Sequence, residues 1–373
     1  MVKKGRHIAI FLSFSGSGGV EKMVVNLAQG FLELGCRVDM VIARAQGEHL
    51  QLIPEGVRQI RLGKRHTLSN LPGLTRYLKK ENPEALLAVK DRGIKVAIMA
   101  RRLAGYQGRI VGRLGTTVSE AISGKGPLRR YLWYAGMRLF FPALDHIAAV
   151  SEGVAQDIRS ITGLSENRVT AIPNPVVSPR IHLLSKERMD HPWFQNSEIP
   201  VILGMGRLTQ QKDFPTLIQA FSEVRKQTAC RLVILGEGRQ RENLAKLVAD
   251  LDLEKNVSLP GFVDNPYAWL ARSSLFVLSS KWEGSPNALT EALALGIPVV
   301  STNCRSGPCE ILQGGKYGEL VAVGDWKALA QAMSRTLQRP LSSEFLREGS
   351  LKFTVNESCA AYLEKLFPAR PGS

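Results

Sequence analysis

One stretch of the chain, residues 275–300, places the tightest limits on the fold. Its apolar run Leu275–Leu278 predicts a buried strand. A turn follows, in which Ser285 is expected to cap a helix that starts at Pro286, because a proline's missing N–H does no harm at the first helical position. The helix is expected to end at Gly296. A strand that leads through a turn into a helix is typical of an open α/β sheet.

Two glutamates lie in this stretch, Glu283 in the turn and Glu291 in the helix, with seven residues between them. Ligands of an open α/β sheet bind at the carboxyl ends of the strands, where a helix N-terminus favours phosphate. Carboxylates at that edge are suited to hold sugar hydroxyls. The alternative is an ordinary strand–loop–helix unit with two solvated glutamates, and the spacing alone leaves both interpretations open.

The residues around these glutamates carry a family resemblance. The spacing Glu283-x7-Glu291, with Gly-Ser-Pro-Asn between the two and Gly-Ile-Pro-Val-Val after them, resembles the signature of the retaining glycosyltransferases of family 4, the group 1 glycosyltransferases. The resemblance is strongest over 201–325, weaker over 5–35 and 147–176, and weakest over 44–146. It implies an α/β protein of GT-B architecture, in which two Rossmann-like, doubly wound domains face each other across a cleft.

The length of 373 residues is enough for two domains of average size. We assign 1–176 to an N-terminal Rossmann-like domain, which the resemblance makes the acceptor-binding one and which the C-terminal helix 356–367 is expected to join. The polar, proline-containing segment 177–198 is the predicted linker. Residues 199–353 form the second Rossmann-like domain, which the resemblance assigns to the nucleotide sugar.

Two strand-to-helix turns are candidates for phosphate binding. The predicted strand His7–Phe14 leads through a glycine loop into the helix Val20–Leu34, and such glycines let the backbone approach a phosphate. In the second domain, Arg207 and Lys212 flank the turn after a predicted strand, where two cations and a helix N-terminus favour a diphosphate. The alternative for that pair is a solvated surface.

The resemblance assigns roles to these residues. Glu291 would hold the ribose hydroxyls and Glu283 the hydroxyls of the donor sugar, while Arg207 and Lys212 would neutralise the departing diphosphate. The catalytic set is therefore Glu283, Arg207 and Lys212. The donor-binding set comprises Gly18, Gly19, Arg207, Lys212, Val263, Glu283, Ser285, Asn287, Ala288, Leu289 and Glu291.

The implied chemistry needs neither a protein nucleophile nor a cofactor, because the β-phosphate of the donor would help to deprotonate the acceptor hydroxyl. No metal is expected either. Asp250-Leu251-Asp252 resembles the metal-binding D-x-D of other glycosyltransferases, but its position late in a helix predicts a helix end. The five cysteines include no C-x-x-C pair and are expected to be reduced thiols.

One feature departs from the family pattern. Many members carry a histidine after a middle strand of the N-terminal domain, but the loop after the predicted strand Ile110–Leu114 reads Gly-Thr-Thr-Val, with Thr116 at its centre. His146 precedes another strand and is expected to be structural. Whether Thr116 or a neighbour takes the place of the histidine stays open.

The positive charge is concentrated in the first half of the chain. Residues 1–180 contain 27 Lys/Arg and 13 Asp/Glu, whereas 181–373 contain 22 and 20. The chain shows no nucleic-acid-binding motif. An aromatic, arginine-bearing segment, 128–141, could lie on an anionic membrane surface, and the alternative is a core helix. We expect a cytoplasmic protein, peripheral on the cytoplasmic face of the inner membrane, because the first apolar run predicts a strand rather than a signal peptide.

The predicted activity is transfer of a sugar from a UDP-hexose or UDP-N-acetylhexosamine to a glycan or lipid-linked acceptor in cell-surface polysaccharide or lipopolysaccharide biosynthesis. A GDP-mannose-dependent mannosyltransferase is the alternative within this class. A glycoside hydrolase would leave the Arg207–Lys212 pair without a purpose, and a sugar-nucleotide epimerase would lack the paired glutamates. A membrane-attached nucleotide-sugar-binding protein with a degenerate site is the non-enzymatic alternative.

Overall fold

The structure is a computed structural model that describes residues 5–15, 18–64, 66–195 and 198–369. The chain divides into two compact units. The N-terminal unit comprises residues 1–176 and 354–373, and the C-terminal unit comprises residues 177–353. The chain therefore leaves its first unit once and returns to it near the end.

The N-terminal unit is built on a parallel sheet of seven strands in the order β3-β2-β1-β4-β5-β6-β7. Its central strands are almost continuously apolar, as expected for strands that are covered on both faces. The strands are β1 His7–Ser15, β2 Arg37–Gln46, β3 Arg58–Arg61, β4 Ala85–Val89, β5 Arg109–Leu114, β6 His146–Ala149 and β7 Val169–Ala171. The strand order reverses between β1 and β4.

Helices cover both faces of this sheet. They are α1 Gly19–Glu33, α2 Leu71–Glu81, α3 Asp91–Ala104, α4 Val118–Ala121, α5 Pro127–Phe140, α6 Glu152–Thr162 and α15 Val355–Leu366. Residues of α2, α3, α5 and α6 share one buried apolar cluster, and residues of α1 and α15 share the other. The returning helix α15 is thus part of the N-terminal core.

The C-terminal unit has a parallel sheet of six strands in the order β10-β9-β8-β11-β12-β13. The strands are β8 Val201–Met205, β9 Arg231–Leu235, β10 Val257–Gly261, β11 Leu275–Leu278, β12 Val299–Thr302 and β13 Glu319–Val321. Its helices are α7 Pro179–Ser185, α8 Phe214–Gln227, α9 Arg241–Asp250, α10 Pro266–Leu270, α11 Asn287–Leu295, α12 Pro308–Ile311, α13 Trp326–Gln338 and α14 Ser343–Glu348. The strand order reverses between β8 and β11.

The segment 177–198, which the sequence assigns to a linker, belongs to the C-terminal unit. It contains α7, in which Ile181 is buried. Further along, the rings of His191 and Phe194 pack on Trp269, with centroids 5.2 and 5.6 Å apart. These few apolar and aromatic side chains are enough to attach a polar segment to the unit that follows it.

Helix α5 combines features of both interpretations of segment 128–141. Trp133 and Tyr134 pack against the core, as a core helix requires. Its other face leaves Leu128, Tyr131 and Leu132 exposed. None of the helices in the described residues combines the length and the apolar character that crossing a bilayer requires.

Candidate active site

The candidate site of the C-terminal unit lies at the carboxyl ends of β8 and β11, the neighbouring strands between which the strand order reverses. Arg207 and Lys212 lie in the loop after β8, and Glu283 lies in the loop after β11. This position is where open α/β sheets bind ligands. The fold thus brings residues that are 71 positions apart into one loop cluster.

Lys212 and Glu283 are in direct contact. Nζ of Lys212 lies 2.5 Å from Oε1 of Glu283, and the side chains are only 17% and 9% exposed. The hydroxyl of Ser280 donates to the same carboxylate oxygen at 2.8 Å. A half-closed environment of this kind strengthens electrostatic interactions because little water screens them. The carboxylate is therefore oriented and charge-compensated.

Main-chain and amide contacts hold the two loops together. The backbone N–H of Lys281 donates to the carbonyl of Gln211 at 2.8 Å, and Nε2 of Gln211 donates to the carbonyl of Trp282 at 2.9 Å. The Ser279 hydroxyl donates to the carbonyl of Lys212 at 2.8 Å. Because both loops are fixed to each other, the Lys212–Glu283 pair is positioned by the scaffold and not only by its own attraction.

Gly206 makes room for the lysine. A Cβ atom at this position would lie 2.9 Å from Cε of Lys212, which is shorter than the distances that Cβ atoms keep from other heavy atoms in proteins. Arg207, the next residue, is exposed. The loop after β8 therefore presents one cation held against a carboxylate and a second cation open to solvent, the arrangement expected of a diphosphate site.

Glu291 is buried in α11, with 5% exposure. The hydroxyl of Tyr267 donates a hydrogen bond to Oε1 of Glu291 at 3.2 Å. Tyr267 lies in the first turn of α10, where the side chain of Asn265 accepts from its backbone N–H at 3.1 Å. A capped helix thus fixes the ring that orients this carboxylate.

The remaining donor-binding residues of this unit lie in neighbouring loops. Val263 follows β10, Ser285 lies in the loop after β11, and Asn287, Ala288 and Leu289 form the first turn of α11. The expected cap is wrong. Helix α11 begins at Asn287, and Pro286, with φ −72° and ψ 102°, lies before the first helical turn.

The physical reason is a tertiary contact. A Cβ atom at Gly307 would lie 2.7 Å from Cδ of Pro286, so the loop before α12 packs directly on the proline. That packing holds Pro286 in an extended conformation and excludes it from the helix. The helix N-terminus accordingly starts two residues after Ser285.

The predicted residues of the N-terminal unit lie at the junction of β1 and α1. Gly18 is the N-cap of α1, and Gly19 is its first residue. Gly16 and Ser17 of the predicted glycine loop lie outside the described residues. A Cβ atom at Gly18 would lie 2.7 Å from Oε2 of Glu21, so a larger residue here would displace the end of the glutamate side chain.

His146 is buried in the sheet, 4% exposed, and its Nε2 lies 2.8 Å from the Thr170 hydroxyl. Burial, reinforced by nearby cations, lowers the pKa of His146 to about 4. A histidine that stays neutral inside a sheet is structural, as the sequence indicates. Thr116 lies in the loop after β5, and whether it or a neighbour takes the place of the histidine stays a prediction.

The Asp250-Leu251-Asp252 segment ends a helix. Helix α9 stops at Asp250, and Asp252 has a positive φ of 55°. In the ranges that the structure describes, no group of three or more His, Cys, Asp or Glu side chains is arranged to hold a metal ion. That the reaction needs no metal stays a prediction.

Three residues at the site are absent from the predicted set. Ser280 and Tyr267 contact the two glutamates directly. Burial, to which the charge of Glu283 adds, raises the pKa of the Cys304 thiol to about 12, so this cysteine is an inert neighbour of the site. Ser280 lies inside the signature stretch and could have been proposed, whereas Tyr267 has no local signal.

Several known proteins similar to this chain are named glycosyltransferases. The lipopolysaccharide core biosynthesis glycosyltransferase LpsE of Rhizobium meliloti is 28% identical over 328 residues, which cover 86% of each chain. The N-acetylgalactosamine-N,N'-diacetylbacillosaminyl-diphospho-undecaprenol 4-alpha-N-acetylgalactosaminyltransferase of Campylobacter jejuni is 28% identical over 341 residues, 89% of this chain and 90% of that protein.

Among solved structures, Anabaena HepE in complex with UDP and glucose superposes with a TM-score of 0.78 at 18% identity, over 97% of this chain and 99% of that chain. The likeness confirms two Rossmann-like domains of GT-B type as the fold. The family model for glycosyl transferases group 1 matches residues 185–352, and the model for Glycosyltransferase Family 4 matches residues 17–178. Since the two models together match most of the chain, the protein belongs to the group 1 glycosyltransferases of family 4.

Proposed function

We propose that this glycosyltransferase moves a sugar from a nucleoside diphosphate sugar, with retention of anomeric configuration, to a glycan or lipid-linked acceptor of cell-surface polysaccharide or lipopolysaccharide biosynthesis. The observation that carries the proposal is the contact between Lys212 and Glu283, 2.5 Å apart at the reversal point of the second sheet. An ammonium and a carboxylate so placed can hold the leaving diphosphate and the donor sugar at adjacent positions.

Lys212 and Arg207 would stabilise the negative charge that develops on the diphosphate as the bond to the sugar breaks. Glu283 already accepts hydrogen bonds from Lys212 and Ser280, so its carboxylate is a compensated acceptor for sugar hydroxyls rather than an unpaired nucleophile. The β-phosphate would then take the proton of the acceptor hydroxyl on the face from which it departs. This front-side route gives retention without a covalent intermediate, and the anomeric configuration of the first-formed product, read by proton NMR, tests it.

Glu291, oriented by Tyr267, would bind the ribose hydroxyls, and Val263 would contact the base. The proposed donor is a UDP-hexose or UDP-N-acetylhexosamine. UDP and glucose in the similarly folded HepE are consistent with this choice, and GDP-mannose is the alternative.

The acceptor class is supported by the relatives. LpsE is named for lipopolysaccharide core biosynthesis, and the Campylobacter enzyme is named for a diphospho-undecaprenol-linked sugar. Both names describe glycans that are carried on lipid. We therefore expect an acceptor that combines a sugar hydroxyl with a lipid anchor.

A basic face of the N-terminal unit fits an anionic membrane surface. Helices α2, α3 and α5, which share one side of the sheet, carry ten Lys/Arg and two Asp/Glu, whereas α1 and α15 on the other side carry two and four. On α5, exposed Leu128, Tyr131, Leu132 and Leu139 lie among arginines and are 59–73% exposed. Apolar rings and arginines in one stripe are suited to lipid tails and phosphates. The enzyme would work as a peripheral protein on the cytoplasmic face of the inner membrane.

Liposome flotation tests this membrane contact. We expect the wild type to float with phosphatidylglycerol vesicles and the variant Leu128→Ser/Leu132→Ser to float several-fold less. Leu351→Ser, which changes an equally exposed leucine of the C-terminal unit, is the matched control. Equal behaviour of the wild type with anionic and neutral vesicles would exclude the anionic surface.

The activity itself is tested by a donor screen. UDP- and GDP-sugars are offered, with EDTA present, to wild type and Glu291→Ala, and thermal shift and sugar release are measured. We expect one donor to raise the melting temperature of the wild type and to be hydrolysed by it. Both effects should be lost in Glu291→Ala, and the donor that gives them identifies the nucleotide base. If a donor raised the melting temperature but no sugar were released, even after acceptor extracts were added, the alternative of a nucleotide-sugar-binding protein without activity would be favoured. No response to any nucleotide would overturn the proposal.

A further inference from the structure

Three charged side chains form a row at the carboxyl ends of the adjacent strands β1, β4 and β5 of the N-terminal sheet. Glu21 lies in the first turn after β1, Lys90 directly follows β4, and Arg113 lies in β5. Nζ of Lys90 lies 2.9 Å from Oε1 of Glu21, and the backbone N–H of Lys90 donates to the carbonyl of Arg113 at 3.1 Å. We call these three residues the Lys90 cluster. It lies where the strand order reverses, the ligand-binding edge of such sheets.

Arg113 is an unusual residue for a sheet interior. It is 2% exposed, and Nη2 donates to Oδ1 of Asn174 at 2.7 Å. Within the described residues, however, its Nε and Nη1 atoms are buried without a hydrogen bond of good geometry, although the equally buried Tyr362 hydroxyl lies beside the guanidinium. Buried polar atoms are nearly always paired, and leaving one unpaired costs about 1–3 kcal/mol. The two nitrogen atoms therefore require an explanation.

The charges of the Lys90 cluster do not balance. Two cations share a single carboxylate, Glu21, which is 4% exposed at its side chain. Buried charges in proteins are normally paired because an uncompensated one loses its hydration. The side chain of Lys90 is 41% exposed, so the cluster is open to solvent on that side. An anion that enters there would supply the missing negative charge.

Two glycines keep the space beside these charges open. A Cβ atom at Gly115 would lie 2.6 Å from Nη1 of Arg113, and one at Gly18 would lie 2.7 Å from Oε2 of Glu21. Any larger residue at either position would press on the charged group. The surface beside both charged groups is thus formed by bare backbone, which permits close approach of a ligand.

Lys90 itself is held in a strained backbone conformation. Its φ of 67° and ψ of 151° fall in a region that only glycine adopts readily. Such strain costs on the order of 1–3 kcal/mol and is found where a side chain is needed at a functional position. A lysine there, in place of the less strained glycine, indicates that the amine has a use at this edge.

We propose that the Lys90 cluster binds a phosphate group of the acceptor. Lys90 exchanges Glu21 for the incoming phosphate, and Arg113 provides buried positive charge beneath it. This inference rests on the proposed function, because it takes the lipid-linked acceptor to carry a phosphate or diphosphate next to its sugar. It separates acceptor recognition in this unit from the Arg207–Lys212 pair of the other, and it assigns Gly18 of the predicted donor-binding set to the acceptor instead.

The experiment uses inorganic pyrophosphate as the probe, titrated by calorimetry into protein saturated with UDP so that the second unit's diphosphate site is filled. Three proteins are compared: wild type, Lys90→Gly, and Lys226→Ala, which removes an exposed lysine of α8 in the other unit. Lys90→Gly relieves the strained backbone, so its melting temperature is expected to stay close to that of the wild type. We expect pyrophosphate affinity to fall at least tenfold in Lys90→Gly and to be unchanged in Lys226→Ala.

Equal pyrophosphate affinity in Lys90→Gly and wild type, or no pyrophosphate binding by UDP-saturated wild type, would overturn the inference. Failure of the proposed function would give a different result, since neither UDP nor GDP would then bind any of the three proteins. If GDP alone binds, it replaces UDP in the titration. Flotation with phosphatidylglycerol vesicles separates the two sources of phosphate. Unchanged flotation of Lys90→Gly assigns the phosphate to the acceptor, whereas lost flotation would assign it to bilayer headgroups and contradict the proposal.

Discussion

The hydroxyl of Tyr267 and the carboxylate of Glu291 are joined by a hydrogen bond of 3.2 Å inside the C-terminal unit. Tyr267→Phe removes this bond, worth about 1 kcal/mol. We expect the KM for the nucleotide sugar to rise about fivefold, with kcat nearly unchanged, because the ribose is remote from the reacting carbon. Steady-state kinetics measure both, and Tyr317→Phe, whose ring packs on Phe345 instead, serves as the control. A fall in kcat equal to the rise in KM would contradict the assignment of Glu291 to the ribose.

The Lys212–Glu283 pair predicts a defect in the chemical step. Lys212→Ala removes a cation that would stabilise the leaving diphosphate, and kcat is expected to fall on the order of 10²- to 10³-fold. Lys226→Ala provides the comparison, because Lys226 forms an exposed ion pair with Glu223 at 2.8 Å in the same unit. If Lys212→Ala changed the KM for the donor alone, the lysine would contribute to ground-state binding and not to departure of the diphosphate.

The sequence predicts much of this site, and the reasons for its failures are specific. The alternation of apolar runs and turns locates the strands beside Arg207 and Glu283 because those strands are fully buried. Three edge strands are missed, because β3 reads Arg-Gln-Ile-Arg and β7 and β13 have three residues each, too few for an apolar pattern.

Tertiary contacts explain the remaining differences. The start of α11 is displaced by the packing of Gly307 on Pro286, which no local pattern records. The contact between Tyr267 and Glu291 spans 24 residues of sequence and belongs to two different helices. Sequence propensities describe local structure and contain no information about contacts between distant residues. The positioning of the Glu291 carboxylate can therefore be recognised only in the folded structure.

Asp39 predicts the acid sensitivity of the N-terminal unit. Burial alone would raise the pKa of this carboxyl group, but hydrogen bonds from Arg58, Tyr77 and His7 outweigh burial and lower the pKa below its ordinary value of 3.8. Since the folded pKa is the lower one, Asp39 contributes stability above about pH 3.8, and that contribution is lost as the pH falls through the folded pKa. Hydrogen exchange of β1 and β2 between pH 2 and 7 measures the change.

The matching substitution is Asp39→Asn. It leaves the Arg58 guanidinium, 44% exposed, without its buried partner, and we expect a loss of about 2 kcal/mol at pH 7. The loss should shrink as the pH falls from 3.8 towards the lower folded pKa, because the unfolded carboxyl group binds a proton in that range and the folded one does not. Glu166→Gln, a change at an exposed carboxylate of the same unit, should leave exchange unaltered. A constant difference between Asp39→Asn and wild type across this range would contradict the pKa argument.

His146 predicts a second, separate pH effect. Its folded pKa of about 4 lies below the ordinary 6.5, so the unfolded chain binds a proton that the folded one does not, and stability falls as the pH decreases from 6.5 to 4. His146→Gln can keep the hydrogen bond to Thr170 and should remove this part of the slope in urea unfolding. The pH profile of kcat should not change, because the residue is structural; a shifted profile would return His146 to the catalytic candidates.

The return of the chain at Thr354 has a consequence for biosynthesis. Helix α15 fills the N-terminal core with Cys359, Tyr362, Leu363 and Leu366, yet it is translated only after the whole C-terminal unit. At 5–20 residues per second, the first 176 residues wait roughly 10 to 40 s for the helix that covers them. During that interval the apolar face of α1 and β1 is open to chaperones and to neighbouring nascent chains. A ribosome that stalls inside the second unit would therefore leave the N-terminal unit with its core exposed to solvent. Nonsense mutations late in the coding sequence should accordingly lower the solubility of the N-terminal unit as much as destabilising missense mutations within that unit.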